Sequence, residues 1–281
     1  MDESVWFRTF EILERTGLNW SVVAEPLPHL GFAIRRRDTS RLLGVSVVQA
    51  APVQNAELVE KLVVAADHIG ITFSRGGVLH GGEVAYLQAE VGRDAVRRNP
   101  IKHFATVIWR HIGQPFIVVA ITDVIDQCRT FHVYHSTINH FRLDSMVLAD
   151  HLRRAIHAHQ HQVMPTYRRM AATEVDTQME RPILMPLMRD GLGVSNPDAP
   201  TDRERARIIR LEQAIRYALH TNGNTLWGVF NGVLQHSLEY PEQDPVLSPP
   251  VGIGHHITSI GYWAIAKWLQ HEQLMGVFSR S

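Results

Sequence analysis

The chain has 281 residues, with 28 lysines and arginines, 28 aspartates and glutamates, 17 histidines and one cysteine. This size allows one large domain or two modest ones. The balanced charge excludes a general basic field for nucleic acid, and the lone cysteine excludes an internal disulfide and a cysteine-rich zinc site. The first residues are acidic where a signal peptide is basic, and no apolar run is long enough to span a membrane. We therefore expect a cytoplasmic protein with no membrane partner.

The first third of the sequence predicts a helix, a hairpin and a second helix. Apolar residues recur at helical spacing from Val5 to Arg15. The apolar runs Phe32–Ile34 and Leu43–Val48 are of strand length, and we expect them to pair across the turn at 38–40. Proline cannot donate a ladder hydrogen bond, so Pro52 should end this section. Asn55 is predicted to cap the helix 55–67 with its side chain.

The middle of the sequence predicts a run of strands. Short β-branched and aromatic stretches end at Phe73 and begin again at Val84, and the double glycines 76–77 and 81–82 are typical of hairpin turns. Further strands are predicted at 104–109, 116–124 and 131–134. Sequential strands joined by short turns favour an antiparallel sheet.

The remainder of the sequence predicts helices. A helical stripe runs from Leu143 to Val163, Pro165 interrupts it, and 166–179 continues as a second helix. A linker is predicted at 195–200, and Thr201 and Glu204 have the spacing of a capping box. The fold class is therefore α+β, an antiparallel sheet followed by a long helix with a helical C-terminal region. We expect an α+β core over 1–194 and a helical region over 201–281 that packs on it.

Three histidines alternate in the long predicted helix. His157 and His161 share a face and could bind a metal as a pair. No third ligand stands at a fixed spacing, and the zincin pattern is absent. We therefore interpret His157, His159 and His161 as a solvated helix face and predict no metal site.

Motifs for covalent or cofactor chemistry are also missing. No nucleophile elbow occurs. Cys128 adjoins Arg129, which could lower the pKa of the thiol, but its place at the end of an apolar strand is typical of an inert core cysteine. The stretch 74–77 is glycine-rich and matches no phosphate-binding motif. No catalytic residue and no cofactor are assigned.

Basic residues recur in clusters with aromatic residues between them. Such clusters can neutralise phosphates, and exposed rings can stack on unpaired bases. The predicted phosphate contacts are Arg35, Arg36, Arg37, Arg75, Arg97, Arg98 and Lys102. The predicted stacking residues are Tyr86 and Trp109.

Several short motifs give the chain a resemblance to a known family. They are Arg37-Asp38-Thr39, Leu43-Gly44-Val45, Pro52-Val53-Gln54-Asn55, Gln127-Cys128, Tyr134-His135-Ser136 and the run from Asn224 to Asn231. With them the chain resembles the phage- and plasmid-borne proteins grouped as a domain of unknown function. The resemblance implies mobile-element DNA biology and no defined activity. The order of strands and one long helix also resembles phage single-strand annealing proteins, at the level of fold only.

The leading hypothesis is a non-enzymatic, homo-oligomeric, single-stranded nucleic-acid-binding protein, annealing-like, of a phage or plasmid, acting in recombination or replication. One alternative is a metal-dependent hydrolase or nuclease, for which His111, Asp123 and His135 are the first candidates. Another is a protein-binding module that blocks a host defence factor.

Overall fold

Strands β1 to β3 form a small antiparallel meander that follows the first helix in the chain. A computed structural model describes residues 3–47, 52–111, 117–125, 128–135, 144–175, 177–237 and 261–270. Helix α1 is Glu3–Thr16, and the strands are β1 (Val22–Leu27), β2 (Gly31–Arg36) and β3 (Leu42–Ser46). The order in this sheet is β1-β2-β3. The predicted pairing of the two short apolar runs is confirmed as β2 against β3.

The second sheet has five antiparallel strands in chain order. They are β4 (Phe73–Leu79), β5 (Val84–Val96), β6 (Asn99–Arg110), β7 (Ile117–Ile125) and β8 (Cys128–His135). Alternate residues of β5 and β6 point to one face, which packs on helix α2 (Asn55–Ile69) and helix α3 (Ser145–Ala158). The predicted antiparallel sheet is therefore confirmed, with the helices on one face.

The double glycines have different roles. Gly81 and Gly82 form the β4–β5 turn with positive φ angles of 70° and 107°, as predicted. Gly76 and Gly77 lie inside β4 instead, so the hairpin predicted there is wrong. A Cβ at Gly76 would lie 2.7 Å from the carbonyl oxygen of Tyr86, so the glycine permits close packing of two strands.

The long helix continues through a π-helical turn. Helix α3 leads into the π turn His159–Val163 and then helix α4 (Met164–Ala172), so Pro165 lies in a continuing helix. Pro182 and Pro186 with Gly191 and Gly193 predict an irregular segment, but helix α5 (Thr177–Pro186) and a second π turn (Leu187–Gly191) occupy it. Helices α6 (Asp202–Asn222) and α7 (Leu226–Ser237) follow, and residues 261–270 are helical (α8).

The C-terminal helices share a core with the ends of the long strands. Val96, Ile101 and Ile125 from the sheet belong to one buried cluster with residues of α4, α6 and α7. The predicted helical C-terminal region is therefore present, and within the described residues it packs on the α+β part through a continuous apolar core. No helix in these ranges is both long and apolar enough to cross a bilayer.

Candidate functional site

Asp123 is a carboxylate buried near the end of β7, the fourth strand of the five-stranded sheet. Strand β7 alternates Val119, Ile121 and Asp123 on the helix-covered face, and Asp123 has no exposed surface. A buried carboxylate is costly unless hydrogen bonds and opposite charges compensate it. Its neighbours therefore define the site.

His103 is the first neighbour of Asp123. The two residues lie directly opposite each other on β6 and β7. The Nδ1–H of His103 donates to Oδ1 of Asp123 over 2.6 Å. The other ring nitrogen, Nε2, is buried and has no hydrogen-bond partner among the described residues.

His159 reaches the same carboxylate oxygen from the helix layer. It is the first residue of the π turn, and such turns are frequent at functional sites. Its Nε2 lies 3.0 Å from Oδ1 of Asp123. This contact lacks hydrogen-bond geometry, so the nitrogen has no hydrogen-bond partner in the described structure. Nδ1 of the same ring lies 3.1 Å from the hydroxyl of Tyr134.

The second carboxylate oxygen faces a tyrosine and a third histidine. The hydroxyl of Tyr167 donates to Oδ2 of Asp123 over 2.9 Å. Nε2 of His132 lies 2.9 Å from that hydroxyl and 3.5 Å from Oδ2. The ring of Tyr262 packs edge-on against His132, with the centroids 4.7 Å apart. Asp123 is thus enclosed by three imidazoles and a phenol.

The electrostatics keep this carboxylate ionised. Burial alone would raise the pKa of Asp123, but the charge of His159 and the hydrogen bonds of His103 and His132 hold it well below its usual value. Burial lowers the pKa of His132, which favours the neutral ring. Burial also raises the pKa of Tyr167 well above its ordinary value, so the hydroxyl keeps its proton. A carboxylate beside imidazole nitrogens is a donor set suited to a metal ion.

Three of these side chains have the spacing of a metal-ligand group. One ring nitrogen of His103, one of His159 and one oxygen of Asp123 all lie within 4.8 Å of one another. Two imidazoles and a carboxylate suit a divalent transition-metal ion.

The interpretation of all three helical histidines as a solvated face is wrong for His159. His157 and His161 are exposed, with ring centroids 4.1 Å apart. His159 is 2 % exposed because it continues the stripe of Leu152 and Ala155 that faces the sheet. The burial of His159 could have been predicted from the sequence, since position 159 is four residues after Ala155 and so lies on the same helix face.

The metal trio named for the hydrolase alternative is not assembled. His111 lies beyond the far end of β6, eight residues from His103 and so roughly 25 Å away along the strand direction. It is buried, its Nδ1 lies 3.0 Å from the carbonyl oxygen of Val53, and its ring packs on Trp20. The side chain of His135 lies outside the described part of the chain. Asp123 does lie in a histidine-rich centre, but with partners that the spacing in the sequence did not indicate.

Three of the predicted phosphate-binding arginines have partners within the fold. Arg35 forms an ion pair with Glu25 at 3.0 Å. Arg36 pairs with Asp38 and lies over the ring of Trp20, 4.3 Å from its centroid. Arg97 donates to the backbone carbonyls of Ala171 and Asn222, which joins the β5–β6 turn to the helical layer.

The other predicted basic residues are exposed. They are Arg37, Arg75, Arg98 and Lys102. The guanidinium of Arg75 lies 4.7 Å from the centroid of the Phe104 ring. Their assignment to phosphate contacts stays a prediction.

The two predicted stacking residues lie in the core. Trp109 has no exposed surface, and its indole N–H donates to Oδ1 of Asn55 over 3.0 Å. Tyr86 is 2 % exposed. Alternation along β5 and β6 turns both rings into packed layers, so a base could stack on them only if this part of the sheet opened.

Comparison of the chain with protein-family profiles, curated proteins and solved structures finds no match. The resemblance to phage- and plasmid-borne proteins therefore stays an expectation from the sequence.

Proposed function

We propose that this chain is a single-stranded nucleic-acid-binding protein of a phage or plasmid, acting in recombination or replication. The contact region is a group that we name the basic strand surface: Arg75, Arg93, Arg98 and Lys102. It retains three of the seven phosphate contacts predicted from the sequence and adds Arg93.

The observation that carries this proposal is the convergence of cations around a single carboxylate. Arg93 and Lys102 are directly opposite each other on β5 and β6, and Arg75 lies on the neighbouring strand β4. The hydrogen bond from Arg93 and the charges of Arg93, Lys102 and Arg75 lower the pKa of Glu90. Three cations facing one carboxylate leave a local excess of positive charge, which attracts a phosphate backbone.

The geometry also supplies a means of stacking. The guanidinium of Arg75 is held over the Phe104 ring, while the residue as a whole is exposed. A guanidinium plane can stack on an unpaired base as well as bind a phosphate. Arg75 therefore takes the role that the buried Tyr86 and Trp109 cannot fill in the closed sheet.

The surface suits this function better than the buried centre suits a hydrolase. Among His103, Asp123, His132 and His159, the most exposed residue is His132 at 9 %. A polymer cannot approach such atoms while the fold is closed. Arg75, Arg98 and Lys102 are open to it, so binding rather than catalysis is the activity that we assign.

Binding should be tested by fluorescence anisotropy with a labelled single-stranded oligonucleotide over a series of salt concentrations. Neutralising up to four phosphates predicts a slope of log K against log[salt] of about −3, at roughly −0.7 for each phosphate. Replacing Lys102→Ala or Arg75→Ala should weaken binding several-fold at low salt and reduce the slope by about 0.7 each.

Arg35→Ala is the matched control, because Arg35 belongs to the predicted set but lies on β2 of the other sheet, where it pairs with Glu25. It should leave the affinity and the slope unchanged. The proposal fails if the wild-type protein does not bind at low salt, or if binding shows no salt dependence. Equal affinity for duplex DNA would reject the preference for single strands but not nucleic-acid binding itself.

We further propose that the protein is a homo-oligomer. Helix α1 exposes Trp6, Phe7 and Phe10, with exposed fractions of 56 %, 62 % and 45 %. An apolar helix face of this kind is typical of a surface that associates with another protein. Light scattering of the wild-type protein and of Phe7→Glu tests this: a mass that corresponds to a monomer in the wild type contradicts it.

A further inference from the structure

We propose that the buried centre binds a divalent transition-metal ion of the zinc class through His103, Asp123 and His159. His132 is the fourth side chain of the cluster, 3.5 Å from Oδ2 of Asp123. The proposal is independent of nucleic-acid binding, since the centre lies on the helix-covered face of the sheet and involves none of the four residues of the basic strand surface.

The unused ring nitrogens are the first observation for this site. Nε2 of His103 and Nε2 of His159 are buried, and neither has a hydrogen-bond partner in the described structure. Nearly all buried polar atoms in proteins have a partner, so an exception calls for an explanation such as an ion. Here two exceptions occur on adjacent rings, whose centroids are 5.1 Å apart, beside one carboxylate.

The distances are those of a site that an ion can enter after one imidazole ring turns. Around a zinc ion with bonds of 2.0–2.1 Å, neighbouring tetrahedral ligand atoms lie roughly 3.3 Å apart. The ligand atoms of His103, Asp123 and His159 all lie within 4.8 Å of one another. Oδ1 of Asp123 lies 3.0 Å from Nε2 of His159, which is close to that spacing, and 2.6 Å from Nδ1 of His103, which donates its proton to that oxygen. Binding of one ion by all three residues therefore requires the His103 ring to release this hydrogen bond and to turn Nε2 towards the carboxylate.

Tyr134 and Tyr167 orient the proposed ligands, as side chains that hydrogen-bond to metal ligands commonly do. The hydroxyl of Tyr134 contacts Nδ1 of His159, which leaves Nε2 of that ring for the ion. The hydroxyl of Tyr167 donates to Oδ2 of Asp123, which leaves Oδ1 to face both histidines. Both contacts fix ring and carboxylate orientations before an ion arrives.

The burial indicates that the ion stabilises the fold and takes no direct part in a reaction. The three ligands come from β6, β7 and the π turn, so one ion would join the sheet to the long helix. Three protein ligands leave one position of a tetrahedral ion open, and structural sites close that position with a fourth ligand. The side chain placed to close it is His132, whose Nε2 lies 3.5 Å from Oδ2 of Asp123. Because the ion would bind the folded chain and not the unfolded one, it should raise the melting temperature.

The experiment uses the full-length chain, stripped with a chelator and then titrated with Zn²⁺ and with Co²⁺. We expect one tight equivalent by calorimetry, the visible absorption of tetrahedral Co²⁺, and a higher melting temperature on addition of Zn²⁺. His103→Gln and His159→Gln should each lower the affinity for the ion at least tenfold, although Tyr134 and Tyr167 remain in place.

The double variant His157→Gln, His161→Gln is the matched control. Its histidines lie on the same helix and are exposed, so it should retain the tight equivalent. Loss of binding in the control with retention in His159→Gln would overturn the proposal, as would substoichiometric binding to the wild-type protein. If His103→Gln and His159→Gln do not fold, the wild-type Co²⁺ spectrum decides: an octahedral spectrum places the ion elsewhere and rejects this site.

Discussion

Asn55 shows how one side chain can hold three separate parts of the chain together. Its amide donates to the carbonyls of Leu18 and Trp20 over 3.2 Å each, and its oxygen accepts from the indole of Trp109. The sequence predicts that this residue caps a helix, and that prediction is wrong. The cap position is occupied by Gln54, whose amide instead pairs with the backbone of Val22, and Asn55 is fully buried.

Replacing Asn55→Ala should lower the free energy of unfolding by about 2–4 kcal/mol, because it leaves a buried indole N–H and two carbonyls without partners. Urea unfolding measures the change. Asn196→Ala is the control, since Asn196 is exposed and accepts only a local hydrogen bond from Asp198, and it should cost less than about 1 kcal/mol. A loss at Asn55 no larger than that of the control would contradict this role.

His111 gives the stability a dependence on pH. Burial, assisted by the charge of Arg36 and opposed by the hydrogen bond to Val53, lowers the pKa of His111 from 6.5 to about 4. The folded state therefore favours the neutral ring. The stability from this group is complete above pH 6.5 and is lost as the pH falls towards 4.

We expect His111 to account for up to about 3 kcal/mol of lost stability over that range. Urea unfolding at several pH values, for the wild-type protein and for His111→Gln, measures it. The variant should show a shallower decline between pH 6.5 and 4, while a parallel decline in both proteins would show that other groups cause the effect.

The start of helix α6 is specified almost completely by the local sequence. Thr201 and Glu204 form the predicted capping box: Oγ1 of Thr201 accepts from the N–H of Glu204, and the Glu204 carboxylate accepts from the N–H of Thr201 over 2.8 Å. Hydrogen bonds from the backbone of Ser195 and Thr201 lower the pKa of Glu204 to about 2. Both partners lie within one turn, so spacing alone identified them.

Thr201→Ala should therefore destabilise the protein by about 1–2 kcal/mol through loss of this cap. Thr221→Ala, near the other end of the same helix, is the control, because its hydroxyl donates to the carbonyls of Tyr217 and Ala218 and accepts from the side-chain amide of Asn222, and so caps no backbone N–H of the first turn. The control should change stability by less than about 0.5 kcal/mol. Equal effects in thermal unfolding followed by circular dichroism would argue against a capping contribution.

The described molecule is held together by a core that crosses the boundary predicted between 1–194 and 201–281. The indole of Trp227 on α7 donates to Oδ1 of Asn99 on β6 over 2.9 Å, and its ring packs against Tyr167 on α4. Val96 and Ile125 of the sheet belong to the same cluster. Helices and strands that share a buried layer should unfold together.

We predict that Trp227→Phe lowers the free energy of unfolding by about 1–3 kcal/mol, because it removes a buried hydrogen bond and ring volume. Near- and far-ultraviolet circular dichroism should still report one coincident transition. Trp263→Phe, at a tryptophan with 65 % of its surface exposed, should have little effect. Two separated transitions in the wild-type protein would instead support two independent folding units.

The sequence by itself determined what depends on neighbours a few residues apart: the antiparallel order of strands, the helices other than α5, the capping box of α6 and the Gly81–Gly82 turn. Hydrophobic period, turn residues and capping pairs are local signals, so they can be interpreted without a fold.

Only the tertiary structure decided which distant polar groups meet. His103, Asp123 and His159 come from two strands and a helical turn, and their approach depends on strand register and on the packing of the helix against the sheet. The same packing buried Tyr86 and Trp109 and left Arg75 and Lys102 exposed. A residue type indicates which chemistry is possible, whereas burial and register determine whether that chemistry is available to an ion or a nucleic acid.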